Sequence, residues 1–113
     1  MTRIEKPWGY ELIWAKTDRY VGKILHINKG CSLSLQYHKI KDETVMVQSG
    51  TLTLETNVDG NIDIRVLTQG ESHHIPTGVI HRMSAIENDV DVIEVSTPEL
   101  DDVVRLEDKY GRK

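Results

Sequence analysis

The chain has 113 residues, 38% of them hydrophobic and 28% charged, with a formal charge of -4 and no phenylalanine. That length holds one domain around one core, assigned to residues 1–113, and the composition is that of a folded globular chain rather than a disordered one. The negative balance and the lack of an extended Lys/Arg cluster exclude a phosphate-backbone footprint, so no nucleic acid partner is expected, whereas a small anion needs only a few well-placed cations.

A lone cysteine, Cys31, cannot close an internal disulfide, which fits a reducing compartment. The opening MTRIEKPWGY lacks an apolar core of signal-peptide length, and no run approaches the ~18 apolar residues of a membrane span. A cytoplasmic protein without a membrane partner is expected.

Along the chain, apolar residues alternate or cluster in short runs bounded by turn residues, the pattern of strands rather than helices. The predicted strands are YELIWA (10–15), YVGKILHIN (20–28), LSLQYH (33–38), TVMVQS (44–49), TLTLET (51–56), IDIRVL (62–67), ESHHI (71–75), HRMSAI (81–86) and VDVIEVS (90–96). So many short strands in one small domain predict an all-β sandwich or barrel. The VDGN segment between TLTLET and IDIRVL carries the strongest hairpin signal, because Asp and Gly tolerate the positive φ of a tight turn. Pro98 ends the last of these strands, and LDDVVRLEDKY, with acids early and Lys109 late, predicts a short C-terminal helix or turn. Trp8 and Trp14 read as packing residues.

TLTLE shows ordinary alternation, with Leu52 and Leu54 inward and Thr51, Thr53 and Glu55 toward water. LSLQYH does not. Leu33, Leu35 and Tyr37 form one face and Ser34, Gln36 and His38 the other, so one face must line a polar cavity while the other meets a second apolar surface. Gln36 and His38 stand two apart and project together, a hairpin brings Glu43 across, and GESHHIPTGVIHRM adds His81. Imidazole nitrogens with carboxylate and amide oxygens suit a divalent metal of borderline or hard character. His73 and His74 are adjacent and face opposite sides of a strand; with His26 they read as structural.

The spacing Gly30-x5-Gln36-x-His38-x4-Glu43-x6-Gly50, followed by Gly70-x5-Pro76-Thr77-Gly78-x2-His81, resembles the two motifs of the cupins. Glutamine in place of the first histidine, with KPWGYE (6–11), His81-Arg82, VIEV (92–95) and DDVVRLEDKYGR (101–112), is similar over nearly the whole chain to the cupin domain of type II mannose-6-phosphate isomerases, often fused to a mannose-1-phosphate guanylyltransferase. The resemblance implies a double-stranded β-helix, or jelly-roll barrel, holding one divalent metal on Gln36, His38, Glu43 and His81, zinc first and Mn, Fe, Co or Ni as alternatives.

It further implies a sugar-phosphate isomerase that interconverts an aldose phosphate and a ketose phosphate, with mannose 6-phosphate and fructose 6-phosphate the first choice. The alternative is a non-catalytic sugar or sugar-phosphate binding cupin acting as a sensor or accessory subunit. Lys41, Glu94 and Lys23 are candidates for proton transfer or substrate contact, with the base left open, and Arg82 and Arg105 are candidate phosphate binders because guanidinium engages phosphate oxygens bidentately. A small-molecule sugar phosphate and a second copy, in a homodimer formed through a sheet face, are the expected partners. With no nucleotidyltransferase segment in the sequence, guanylyl transfer is not expected. Lys41, Val45 and Ala85 depart from the arginine, aromatic and asparagine common in that family, which touches the substrate pocket and leaves the metal set intact.

Overall fold

The structure is a computed structural model that describes residues 1–112. Its strands are β1 (Thr2–Lys6), β2 (Gly9–Lys16), β3 (Val21–Ile27), β4 (Cys31–Ser32), β5 (Leu35–Tyr37), β6 (Glu43–Ser49), β7 (Leu52–Val58), β8 (Asn61–Leu67), β9 (Ser72–Ile75), β10 (Ile80–Ala85), β11 (Val90–Ser96) and β12 (Val104–Glu107). One sheet runs β1-β2-β3-β11-β6-β9 and the other β12-β5-β10-β7-β8, with the short β4 also on β10. Every pairing is antiparallel, and the two sheets close on each other as a jelly roll.

The predicted all-β fold is therefore observed, and the period-2 pattern explains it. Leu25 and Ile27 of β3, Val45 and Val47 of β6, Leu52 and Leu54 of β7, Met83 and Ala85 of β10, and Val90 and Val92 of β11 are buried and fill the space between the sheets. Together with Trp8, Leu67 and Ile75 they form one apolar cluster, the expected core of an aligned sandwich. The VDGN hairpin forms as predicted: Asp59 and Gly60 take φ of 52° and 82°, the double positive-φ pair that matches the twist of two antiparallel strands.

The C-terminal segment corrects the sequence reading. LDDVVRLEDKY contains no helix; it turns near residue 101 and then forms β12, whose Val104 and Arg105 pair with Tyr37 and Gln36. A one- or two-turn helix carries an unfavourable nucleation step, whereas β5 offers an unsatisfied edge that VVRLE can fill with backbone hydrogen bonds. LSLQYH likewise divides, because the chain leaves the ladder at Leu33 and Ser34 between β4 and β5. Among the described residues no helix is long and apolar enough to cross a membrane.

The KPWG turn packs its tryptophan inward and its glycine against β3. Trp8 is 2% exposed, and Gly9, at φ 152°, sits where an added Cβ would lie 1.9 Å from the carbonyl oxygen of His26. Since the obstacle is backbone of the central strand β3, it cannot swing away. Gly9→Ala is expected to cost about 2–4 kcal/mol, read as a lower urea midpoint with an unchanged slope.

Candidate metal centre

The register of three neighbouring strands sets one side of the site. Gln36 of β5 is opposite His81 of β10 on one flank and Arg105 of β12 on the other, so these three side chains form a transverse row. From the facing sheet comes Glu43, the first residue of β6, while Glu94 of β11 lies opposite Lys23 of β3. His38 follows the end of β5 and is buried with Glu43 and His81.

His38, Glu43 and His81 each present a ligand atom, and these atoms all lie within 4.8 Å of one another. Glu43 Oε1 is 3.0 Å from His38 Nε2 and 3.2 Å from His81 Nε2. The other ring nitrogens are already committed: Nδ1 of His38 donates to the carbonyl of Asp102, and Nδ1 of His81 donates to the carbonyl of Val79 at 2.9 Å. A neutral ring can carry only one proton, so both Nε2 atoms present lone pairs toward a carboxylate. Three electron-rich atoms so arranged need a cation among them or protons on both rings. Glu43 Oε2 and His81 Nε2 have no hydrogen-bond partner of their own, which agrees with a donor set for a divalent metal. Gln36, the fourth ligand expected from the sequence, lines the same cavity as His38; Ser34 Oγ donates to its Oε1 at 2.6 Å, leaving that oxygen a second lone pair.

Around this cage the charges are paired and dry. Lys41 Nζ is 3.3 Å from Glu94 Oε2 and 3.5 Å from Glu43 Oε2, and Lys23 Nζ is 3.4 Å from Glu11 Oε1. Burial alone would raise Glu43, but its polar neighbours His38, His81 and Glu94 and the charge of Lys41 hold it well below the usual carboxylate range. For Glu94 the balance is opposite: burial first, and the Glu43 carboxylate second, push it up to about 8. Burial pulls Lys41 down, yet Glu94 and Glu43 outweigh it and keep the ammonium protonated.

The structure brings together Gln36, His38, Lys41, Lys23, Glu94 and Arg105, all lining one cavity of about 200 Å³, with Glu43 and His81 buried beside it. Arg82 is not among them. It follows inward-facing His81 by one residue, so alternation turns it to the outer face, where it pairs with Glu107 at 2.9 Å. His26 lies outside, bound to Asp91 at 2.6 Å and stacked on Tyr10, and His74 pairs with Asp42 at 2.8 Å. His73 has Arg65 and Asp63 as its charged neighbours.

Sequence reasoning missed Lys6, Arg112 and Asp102. Lys6 and Arg112 line the cavity from the two ends of the chain. Asp102 accepts backbone N–H groups of Lys39, Ile40 and Lys41 at 3.1, 2.7 and 2.9 Å, while its own carbonyl holds His38 Nδ1. The N–H groups of Lys41 and Ile40, then that of Lys39, keep its carboxyl below the usual range. The doubled acid of 101–102 is the one signal in the sequence, and it reads equally as a helix start.

His38→Ala and His81→Ala should each abolish stoichiometric metal in purified protein, whereas His73→Ala should retain it; elemental analysis after dialysis decides. Asp102→Ala should keep the fold by circular dichroism but weaken metal binding about 10–100-fold in chelator competition, since it frees the loop after His38 from the segment whose backbone carbonyl orients the ring.

Comparison with known proteins gives the geometry its lineage. The mannose-1-phosphate guanylyltransferase of Escherichia coli K12 is 40% identical across 96% of this chain, and the xanthan biosynthesis protein XanB of Xanthomonas campestris is 35% identical across 97%. The chain spans only 23% and 24% of those relatives. The capsular polysaccharide assembling protein CapF of Staphylococcus aureus superposes with a TM-score of 0.82 over 94% of this chain and 34% of its own, at 21% identity, a likeness of fold. These relatives overturn the isomerase reading: what matches along the chain is a guanylyltransferase and a xanthan biosynthesis protein, and a set of metal-ligating side chains does not by itself specify a reaction. The model of the mannose-6-phosphate isomerase C-terminal family matches residues 1–108, and with its cupin fold and cage the chain belongs to that family.

Proposed function

We propose that this chain is the metal-holding cupin unit of a mannose-1-phosphate guanylyltransferase type of protein, binding a mannose phosphate in the cytoplasm as part of sugar activation for polysaccharide synthesis. The observation that carries this reading is the joining of a metal cage to a cationic cavity. Lys6, Lys23, Lys41, Arg105 and Arg112 all line the cavity that His38 and Gln36 enter, against Glu11, Glu94 and Asp101.

Most of those cations are committed to carboxylates: Lys23 to Glu11, Lys41 to Glu94 and Glu43, Arg112 to Asp108. Lys6 has no ion pair among the described residues. Its ammonium offers a phosphate a point charge, and the planar guanidinium of Arg105 lines the same cavity. The cage residues His38, Glu43, His81 and Gln36 suit a borderline divalent ion, zinc first, with Mn, Fe, Co or Ni as alternatives. When bound, such an ion supplies Lewis acidity toward a ligand oxygen. Glu94 and Lys41, 3.3 Å apart in the same cavity, place a carboxyl and an ammonium within reach of sugar hydroxyls.

Calorimetry on the metal-loaded chain tests this. Mannose 1-phosphate or mannose 6-phosphate should bind while mannose does not, and Lys6→Ala or Arg105→Ala should each weaken binding by about tenfold or more, the usual worth of a charged hydrogen bond. Equal binding of mannose and its phosphates, or none of either, would refute the reading.

A further inference from the structure

The two sheets end differently. The edge strand β12 is short and partly buried, whereas β8 at the other end of the same sheet is seven residues long and, among the described residues, pairs only with β7. Residues 61 to 66 are all exposed, and Ile62, Ile64 and Val66 are 63%, 63% and 61% exposed on one face. The register between β7 and β8 is unbroken by any bulge, and β8 contains neither proline nor lysine. A long, regular, aliphatic edge without those protections is a template for another strand.

We propose that β8 pairs with β8 of a second copy of this chain, antiparallel about a two-fold axis through Ile64. The charges select both the occupant and the register. On the opposite face, between Asn61 and the buried Leu67, stand the two charged residues of the strand, Asp63 and Arg65, bonded to each other at 2.7 Å. In an antiparallel pair, hydrogen-bonded and non-hydrogen-bonded positions alternate, so a two-fold axis must pass through a residue rather than between residues. Centred on Ile64, Asp63 of each copy faces Arg65 of the other. Centred on Asp63 or on Arg65, the axis sets like charges directly opposite. The Ile64 register also joins Ile62 and Val66 across the axis, making one stripe of six aliphatic side chains.

Such a contact buries on the order of 1,000 Å², the low end of specific interfaces, so the dimer is concentration-dependent. The cavity entered by His38 stays open, because β8 is at the far end of the sheet from β12 and Arg105. The inference is independent of the ligand proposed above.

Sedimentation velocity over a concentration series tests it. Wild type should shift from monomer to dimer; Ile64→Lys, Asp63→Arg and Arg65→Asp, all on exposed positions, should remain monomeric with unchanged melting and metal content. Mixing the Asp63→Arg and Arg65→Asp variants should restore association as a heterodimer, since every cross-axis pair is again of opposite sign. A wild type that stays monomeric throughout, a dimer that survives Ile64→Lys, or a mixture that fails to associate would overturn the proposal.

Discussion

A single buried carboxylate organises this molecule. Glu43 is 2% exposed at the start of β6, and two histidine nitrogens with their lone pairs turned inward stand 3.0 and 3.2 Å from one of its oxygens. An ionised carboxylate in such a place costs several kcal/mol unless compensated, so its surroundings must supply positive charge. Lys41 supplies part of it from 3.5 Å, and the donor set leaves the rest to a metal ion. The turn residues, Asp102 and the Val79 carbonyl then act at one remove, fixing the ring nitrogens that make this arrangement electron-rich.

Function in this fold divides along the same line. The cage rests on the facing sheets and belongs to the cupin architecture, while the charges that would discriminate a ligand come from the periphery: Lys6 from the N-terminal hairpin, Arg105 and Arg112 from the C-terminal segment. A cage alone does not name a reaction, which is why the isomerase implied by the family resemblance gave way to relatives named for guanylyl transfer and xanthan biosynthesis. Arg82 illustrates the hazard. One residue from a cage histidine in sequence, it lies on the outside of the sheet because a strand alternates its faces.

The two ends of the second sheet show how edges are used. β5 is covered by β12, and that pairing places Arg105 beside Gln36 and brings Asp102 under the loop that carries Lys41. β8 has no such cover, and its alternation of aliphatic and oppositely charged residues suits a copy of itself. One edge is spent on building the site and the other stays open among the described residues.

Much was legible from residues alone. Period-2 alternation determined the all-β class and VDGN determined its hairpin, because strand geometry and turn chemistry are local and act within a few residues, whereas the meeting of His38 and Glu43 with His81 needed the fold. What only the tertiary structure decided are relations across long separations. LDDVVRLEDKY became a strand because an unpaired edge awaited it, a fact that no window of the segment contains. Lys6 and Arg112 share a cavity although 106 positions separate them, and Asp102 governs His38 from 64 positions away. Such contacts arise from sheet order and register, which chain closure sets as a whole, and local sequence patterns carry no record of them.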